Sequence, residues 1–319
     1  MMAFQMPSWV LPVFMSGFRV SLKPAFVHAV TKKTGIFACT FGNKKMKAKY
    51  INPFTDFGFK KIFGEEASKP LLIDFLNALL PQANRIIDLT FKNTEQLGQN
   101  DADRRAIYDI YCENENGEKF IVELQKAKQN YFKERTIYYS TFPIREQAEK
   151  GEWNYNLKAV YCVGILDFTF DDYENEPEKS EVVHTVNLKN QNGRIFYDKL
   201  TYIYLEMPNF RQTESELDSR LDKWLFFIRH LEDFQAMPTI FTDEIFTRAF
   251  EKAEIAKFAP DELDSYENSL KTYRDLKGVI DTAFGDGKTE VARLMKNANE
   301  PIEKIMKYTG LTKDKIDRL

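Results

Sequence analysis

The chain has 319 residues, of which 43% are hydrophobic and 14% aromatic, enough to bury one large core with an appendage. Nothing in it is low-complexity and no repeat of about 20–50 residues recurs, which excludes repeat and low-complexity architectures. The formal net charge is −3, and because residues 1–45 hold six Lys/Arg and no Asp or Glu, −9 is left for the remainder; bulk charge gives no support for nucleic-acid binding, which needs a local basic surface.

Cys39, Cys112 and Cys162 are scattered without a CxxC pair, and His28, His184 and His230 are equally dispersed. That pattern argues against a disulfide framework and a thiolate zinc site, and a reducing cytoplasm is the simplest location. Any metal chemistry must rest on carboxylates, which favours Mg2+ or Mn2+.

Residues 1–45 are apolar and basic, but Pro7, Pro12, Gly17 and Pro24 interrupt them. No run reaches the roughly 18 apolar residues of a membrane span, and no basic stretch opens the segment as in a signal peptide. Met46-Lys-Ala-Lys-Tyr50 reads as a natural beginning. Residues 1–45 are therefore expected to be a poorly ordered, non-native N-terminal extension outside the fold.

From Asn52 onward, Phe59 and Phe63 lie four residues apart on one face of a short helix, with Thr55 or Asp56 as its N-cap. A second helix runs from about Lys69 to Leu80 and stops at Pro81. Arg85 to Lys92 reads as a first strand. Ala106 to Glu113 alternates as a second, Asn114 to Gly117 supplies a turn, and Glu118 to Gln125 returns as the other arm of a hairpin. Tyr131 to Glu149 follows as a helix with Pro143 inside it, and Leu157 to Phe168 is a continuous apolar run, the pattern of a buried strand. Beyond the charged loop Asp171 to Glu181, strands are expected at Val182 to Leu188 and Leu200 to Leu205, then an amphipathic helix from about Glu214 to Asp233. Residues 238–319 are helical throughout, ending in three short helices at Thr289 to Ala298, Pro301 to Tyr308 and Thr312 to Leu319, with Gly310 as a C-cap. The expected domains are 46–237 and a helical region 238–319.

A hairpin turn centred on Asn116 sets Asp109 directly across from Glu123, and Gln125, two positions further on, shares the face of Glu123. Two like charges on neighbouring strands repel unless a cation lies between them. The apolar flanks Ile107, Tyr108, Ile110, Phe120, Ile121, Val122 and Leu124 put these acids in partly buried strands, where acids usually serve a purpose. From spacing alone, a solvated sheet face remains the alternative.

The chain resembles the Rpn family of recombination-promoting nucleases and transposases, members of the PD-(D/E)XK superfamily. The stretches that carry the resemblance are Asn52-Pro-Phe-Thr-Asp-Phe-Gly-Phe-Lys-Lys-Ile-Phe-Gly64, Tyr108-Asp-Ile-Tyr111 with Phe120-Ile-Val-Glu-Leu-Gln125, Arg135 through Tyr138-Tyr139 to Gln147 and Gly151, and Leu205-Glu-Met-Pro-Asn-Phe210. The resemblance implies an α/β fold: a restriction-endonuclease-like core, a mixed sheet flanked by helices, here with a C-terminal all-α appendage. It implies Asp109, Glu123 and the backbone carbonyl of Leu124 as metal ligands, and Gln125 at the position usually held by a catalytic Lys. Glutamine offers neutral hydrogen bonds where lysine supplies positive charge, so Lys60, Lys126 or Lys128 is a candidate substitute. Asp56 is an accessory acid or an N-cap; Lys60 with Lys61 contacts phosphate or is a solvated face; Gln147 touches DNA or decorates its helix; Arg135, Tyr138 and Tyr139 approach a nucleic-acid backbone or pack. The implied activity is Mg2+-dependent DNA cleavage linked to recombination or transposition, with a catalytically impaired nucleic-acid-binding or protein-interaction module as the alternative. DNA is the implied partner, no membrane is involved, and a homo-oligomer is allowed. Residues 286–319 carry eight Lys/Arg against six acids, too even a balance to assign this helix-turn-helix-like end to DNA.

Overall fold

The computed structural model describes residues 48–96, 106–148, 151–170 and 180–319. The expected N-terminal extension, the polar loop before Ala106 and most of the charged loop after Phe170 lie outside the described residues.

The first helix, α1 (Asp56–Phe63), begins where Thr55 accepts from the Gly58 N–H, so the N-cap is Thr55 and Asp56 is the first helical residue. Helix α2 (Lys69–Leu79) ends as expected ahead of Pro81, with Leu80 extended. The first strand is shorter than its apolar pattern suggests: β1 spans Leu89–Phe91. The residues before it satisfy their backbone on side chains, Ile86 on Asn77 and both Ile87 and Asp88 on Glu115, rather than on a ladder.

The expected second strand divides in two. Ala106–Ile107 (β3) pairs with Glu95–Gln96 (β2) in a separate two-stranded sheet, while Ile110–Asn114 (β4) joins the main one. The chain turns away at Tyr108, whose N–H goes to the Thr94 carbonyl, and Asp109 occupies the bend. The hairpin register is the expected one: Ile110 pairs with Val122 and Cys112 with Phe120 of β5 (Lys119–Gln125), around a turn in which Gly117 takes φ 80°.

Helix α3 (Phe132–Glu146) contains Pro143. It is followed by β6 (Val160–Leu166), buried at every position as a central strand should be. Next come β7 (Val183–Lys189) and β8 (Ile195–Glu206), the latter longer than its apolar stretch because its first half pairs back onto β7. The main sheet has the order β1-β4-β5-β6-β8-β7, with β5, β6 and β8 parallel and the rest antiparallel.

The expected helix from Glu214 is interrupted. A single 3-10 turn at Glu214–Glu216 is closed by a Thr213 capping box, and Ser219 then opens α4 (Arg220–His230) with a second box through Asp222. Leu217 therefore lies outside the helix and only partly in the core. Helix α5 spans Glu244–Ala253. The stretch from Thr289 is not a separate short helix: it ends α6 (Pro260–Asn297), 38 residues that run through three glycines. Helices α7 (Ile302–Thr309) and α8 (Lys313–Asp317) follow, with Gly310 the C-cap of α7 as expected.

Alternation along the strands sorts the core into two layers. Phe120, Val122 and Leu124 of β5, with Tyr161, Val163 and Ile165 of β6, face α1, α2, α4 and α5. Ile121, Cys162 and Leu166 face α3 through Phe132 and Phe142, and the aromatic side chains of Tyr108, Tyr111, Tyr202 and Tyr204 complete that layer. The expected division after residue 237 falls between α4 and α5, yet one apolar cluster continues across it: Phe241, Phe246, Phe250 and Tyr266 share the core of α1 and α2. Backbone bonds also cross it, Ile51 N–H to the Ala253 carbonyl and Ile255 N–H to the Lys49 carbonyl. No described helix is long and apolar enough to cross a membrane.

Candidate active site

The bend at Asp109 places its side chain at the carboxyl end of β5. Where the ladder stops, side chains replace it: Asp109 Oδ2 accepts from the Leu124 N–H at 2.7 Å, and the Asp109 N–H donates to Glu123 Oε1 at 3.3 Å. Gln125, on the same face as Glu123, donates from Nε2 to Glu123 Oε2 at 3.1 Å. The three side chains expected to converge do so, and among the described residues Asp109 Oδ1 has no protein donor.

Electrostatics marks the pair as strained. Burial pushes the Asp109 carboxyl above its usual range, opposed by the Leu124 N–H, and the charge of Asp56 adds to the rise while those of Lys60 and Lys126 oppose it. Burial, then the Asp109 carboxylate, pushes Glu123 up to about 8, with Arg135 the leading opposing charge. Both acids are shifted upward because two close carboxylates out of water are poorly compensated by the protein alone.

The remaining expected residues separate into those that reach this point and those that do not. Asp56, relieved of capping by Thr55, pairs with Lys60 at 3.1 Å, and both are within electrostatic reach of Asp109. Lys61 faces away, bridging Glu65 and Glu262. Gln147 is a latch, not part of the carboxylate cluster: its Oε1 accepts from the Lys158 N–H at 2.7 Å and its Nε2 donates to the Pro143 carbonyl at 3.0 Å. That holds the start of β6, roughly 13 Å along the strands from Glu123.

Two further residues belong to the site's surroundings. Arg135 on α3 is held by the rings of Phe132 and Tyr139 and lines a cavity of about 10 Å³ with Glu123, Thr136, Gly164 and Tyr204. Gly164 pairs with Glu123 across the parallel ladder, and a Cβ there would sit 3.0 Å from the Tyr204 ring. A glycine inside the apolar run of β6 is the sequence signal for such a close approach.

Among the described residues no cluster of three or more His, Cys, Asp or Glu could cage a metal ion. Two carboxylates with one free oxygen, beside a backbone strand, match instead the partial donor set of a hard cation that keeps water or phosphate oxygens for its other positions. The residues present therefore fit a hard divalent cation with open coordination positions and not a fully caged ion.

Neither the search of curated proteins nor that of solved structures returned a match. A family model described as PD-(D/E)XK nuclease family transposase matches residues 53–283. That span takes in α1, the Asp109 bend, the Glu123 to Gln125 strand end and the first half of α6. The chain belongs to the PD-(D/E)XK nuclease family transposases.

Proposed function

We propose that the protein is a Mg2+- or Mn2+-dependent DNA endonuclease acting in recombination or transposition, with Asp109, Glu123 and the Leu124 carbonyl as the metal ligands. The observation that carries this reading is the convergence of two buried carboxylates, each shifted above its ordinary pKa, at the end of β5, one with a free oxygen. A bound divalent cation would supply Lewis-acid activation of water and neutralise charge at the phosphate. The Gln125 amide holds Glu123 by one oxygen and so orients its carboxylate. Lys60 and Lys126, whose charges act on Asp109, and Arg135 beside Glu123 provide the local positive surface that an acidic chain needs to approach a phosphodiester. Free, buried Cys112 and Cys162 accord with a reducing cytoplasm.

The second reading is a catalytically impaired member that binds nucleic acid or a protein through the same fold. Gln125 favours it, since a neutral amide stands where the superfamily carries a lysine. Plasmid nicking by the full chain with Mg2+, Mn2+ or EDTA separates the two. Cleavage that needs the cation and disappears in Asp109→Ala and Glu123→Ala supports the nuclease; cleavage that survives both substitutions refutes the site, and DNA binding without cleavage favours the second reading.

A further inference from the structure

The second half of α6 is packed on one side and bare on the other. Ala292 and Met295 are covered by α7 and α8 through Ile305 and Ile316. Ile280, Phe284, Val291 and Leu294 are instead 38%, 64%, 49% and 60% exposed. With Gly287 they follow a four-three-four-three spacing, the seam of a coiled coil. Glycine within a helix is unfavourable relative to alanine. At Gly287 a side chain would meet nothing within 4 Å, so the chain's own packing gives no reason for it.

We propose that this seam is where two copies of the chain pair, α6 against α6 and antiparallel. Size complementarity fixes the direction. In the antiparallel register centred between Gly285 and Asp286, each Phe284 faces Gly287 of the second copy, a large knob over a residue without a side chain, and each Val291 faces Ile280. A parallel pair would oppose Phe284 to Phe284 and leave a void at Gly287.

Charge points the same way. Asp281 and Lys288 flank the seam, and neither has an ion-pair partner among the described residues; Lys288 rests over the Phe284 ring at 4.3 Å. Antiparallel pairing brings each Asp281 beside Lys288 of the other copy, whereas parallel pairing sets Asp281 against Leu276 and Lys288 against Ala283. The surface removed from water is on the order of 1,000 Å², the lower end for a specific interface. An interface of that size belongs to the weak, transient kind, so the dimer is concentration-dependent. This pairing stands independently of the nuclease reading.

Sedimentation velocity of the full chain across a range of concentrations tests it, with circular dichroism as the folding control. The parent should move from monomer to dimer. Phe284→Glu, at an exposed position, should raise the dissociation constant roughly tenfold or more. Asp281→Lys and Lys288→Asp should each weaken the dimer, and the double variant, or an equimolar mixture of the two single variants, should restore it. A parent that stays monomeric well above micromolar concentration, a dimer indifferent to Phe284→Glu, or charge variants that neither weaken nor restore association would each overturn the proposal.

Discussion

Asp109 and Glu123 each serve the other's strand: the Asp109 N–H donates to Glu123 Oε1, and Asp109 Oδ2 accepts from the Leu124 N–H next door. Both acids are held above their ordinary pKa by burial, and the Asp109 charge adds to the shift at Glu123. Neutralising one removes repulsion while an asparagine oxygen still accepts from Leu124. In EDTA, Asp109→Asn should therefore match or exceed the parent in stability, by up to about 1 kcal/mol, or roughly 2 °C in Tm for a chain of this size. Saturating Mg2+ should reverse the order, because only the parent gains from the cation, and nicking should fall by about a hundredfold or more. Equal stabilisation of parent and variant by Mg2+ would remove Asp109 from the site.

The same pair sets a pH dependence. Glu123 has an ordinary value of 4.5 and titrates at about 8 in the fold, so between these values the unfolded chain has lost a proton that the folded chain keeps. Stability of the metal-free protein should fall as pH rises through this window and level off above it. Asp109 is displaced in the same direction. Because the cation competes with these protons, its affinity should rise with pH over the same range. Thermal unfolding in EDTA at about pH 5.5, 7 and 8.5 measures the slope, which should flatten in Glu123→Gln; an unchanged slope in that variant would locate the titration elsewhere.

Much of this site was legible because it is local. The Asn114 to Gly117 turn fixes the register, and a period of two then sets Glu123 and Gln125 on one face and brings Asp109 opposite. The division of the second strand was hidden, since it comes from Asp109 and Tyr108 taking partners outside the ladder. Ser219 likewise starts a new helix within a single amphipathic pattern, after the 3-10 turn has stopped at Glu216. Arg135 and Gly164 could not be placed from spacing, because their proximity to Glu123 depends on long-range packing, Arg135 on α3 lying over the sheet and Gly164 on the parallel pairing of β5 with β6. The join between the two ends of the chain was invisible for the same reason: the Asn52 N–H donates to the Tyr266 hydroxyl from 214 residues away.

That join predicts where the chain can be cut. Ending it after Met237 would strip Phe241, Phe246, Phe250 and Tyr266 from the main core. Loss of a buried Phe side chain costs about 3–5 kcal/mol, and a whole domain has only about 5–15 kcal/mol to lose, so the product should be insoluble or unfolded. Ending it after Ala283 removes α7, α8 and their small cluster but leaves the core whole. That shorter chain should unfold cooperatively with a Tm within a few degrees of the parent. A folded, cooperative product ending at Met237 would restore the earlier boundary.

Gln147 gives a contrast between support and chemistry. Its amide fastens Lys158 to α3 at the opposite end of β6 from the carboxylates. Gln147→Ala should cost about 1–2 kcal/mol in urea unfolding and leave the nicking rate per folded molecule unchanged. A lower rate at full stability would instead bring Gln147 into contact with DNA.

Gln125 decides how strong a catalyst the site can be. It is buried, and its amide donates to the same carboxylate whose pKa the Asp109 charge raises. A lysine at this position would put positive charge beside Glu123, lowering the carboxyl's pKa, although burial opposes charging the ammonium itself. If residue 125 holds the superfamily's lysine position, Gln125→Lys should preserve or raise the nicking rate, since a cation stabilises developing phosphate charge better than an amide. It should also shift the rise of the pH–rate profile to lower pH. Complete loss of cleavage in a folded Gln125→Lys protein would mean that the amide itself is required to orient Glu123, and that this site works without a lysine at that position.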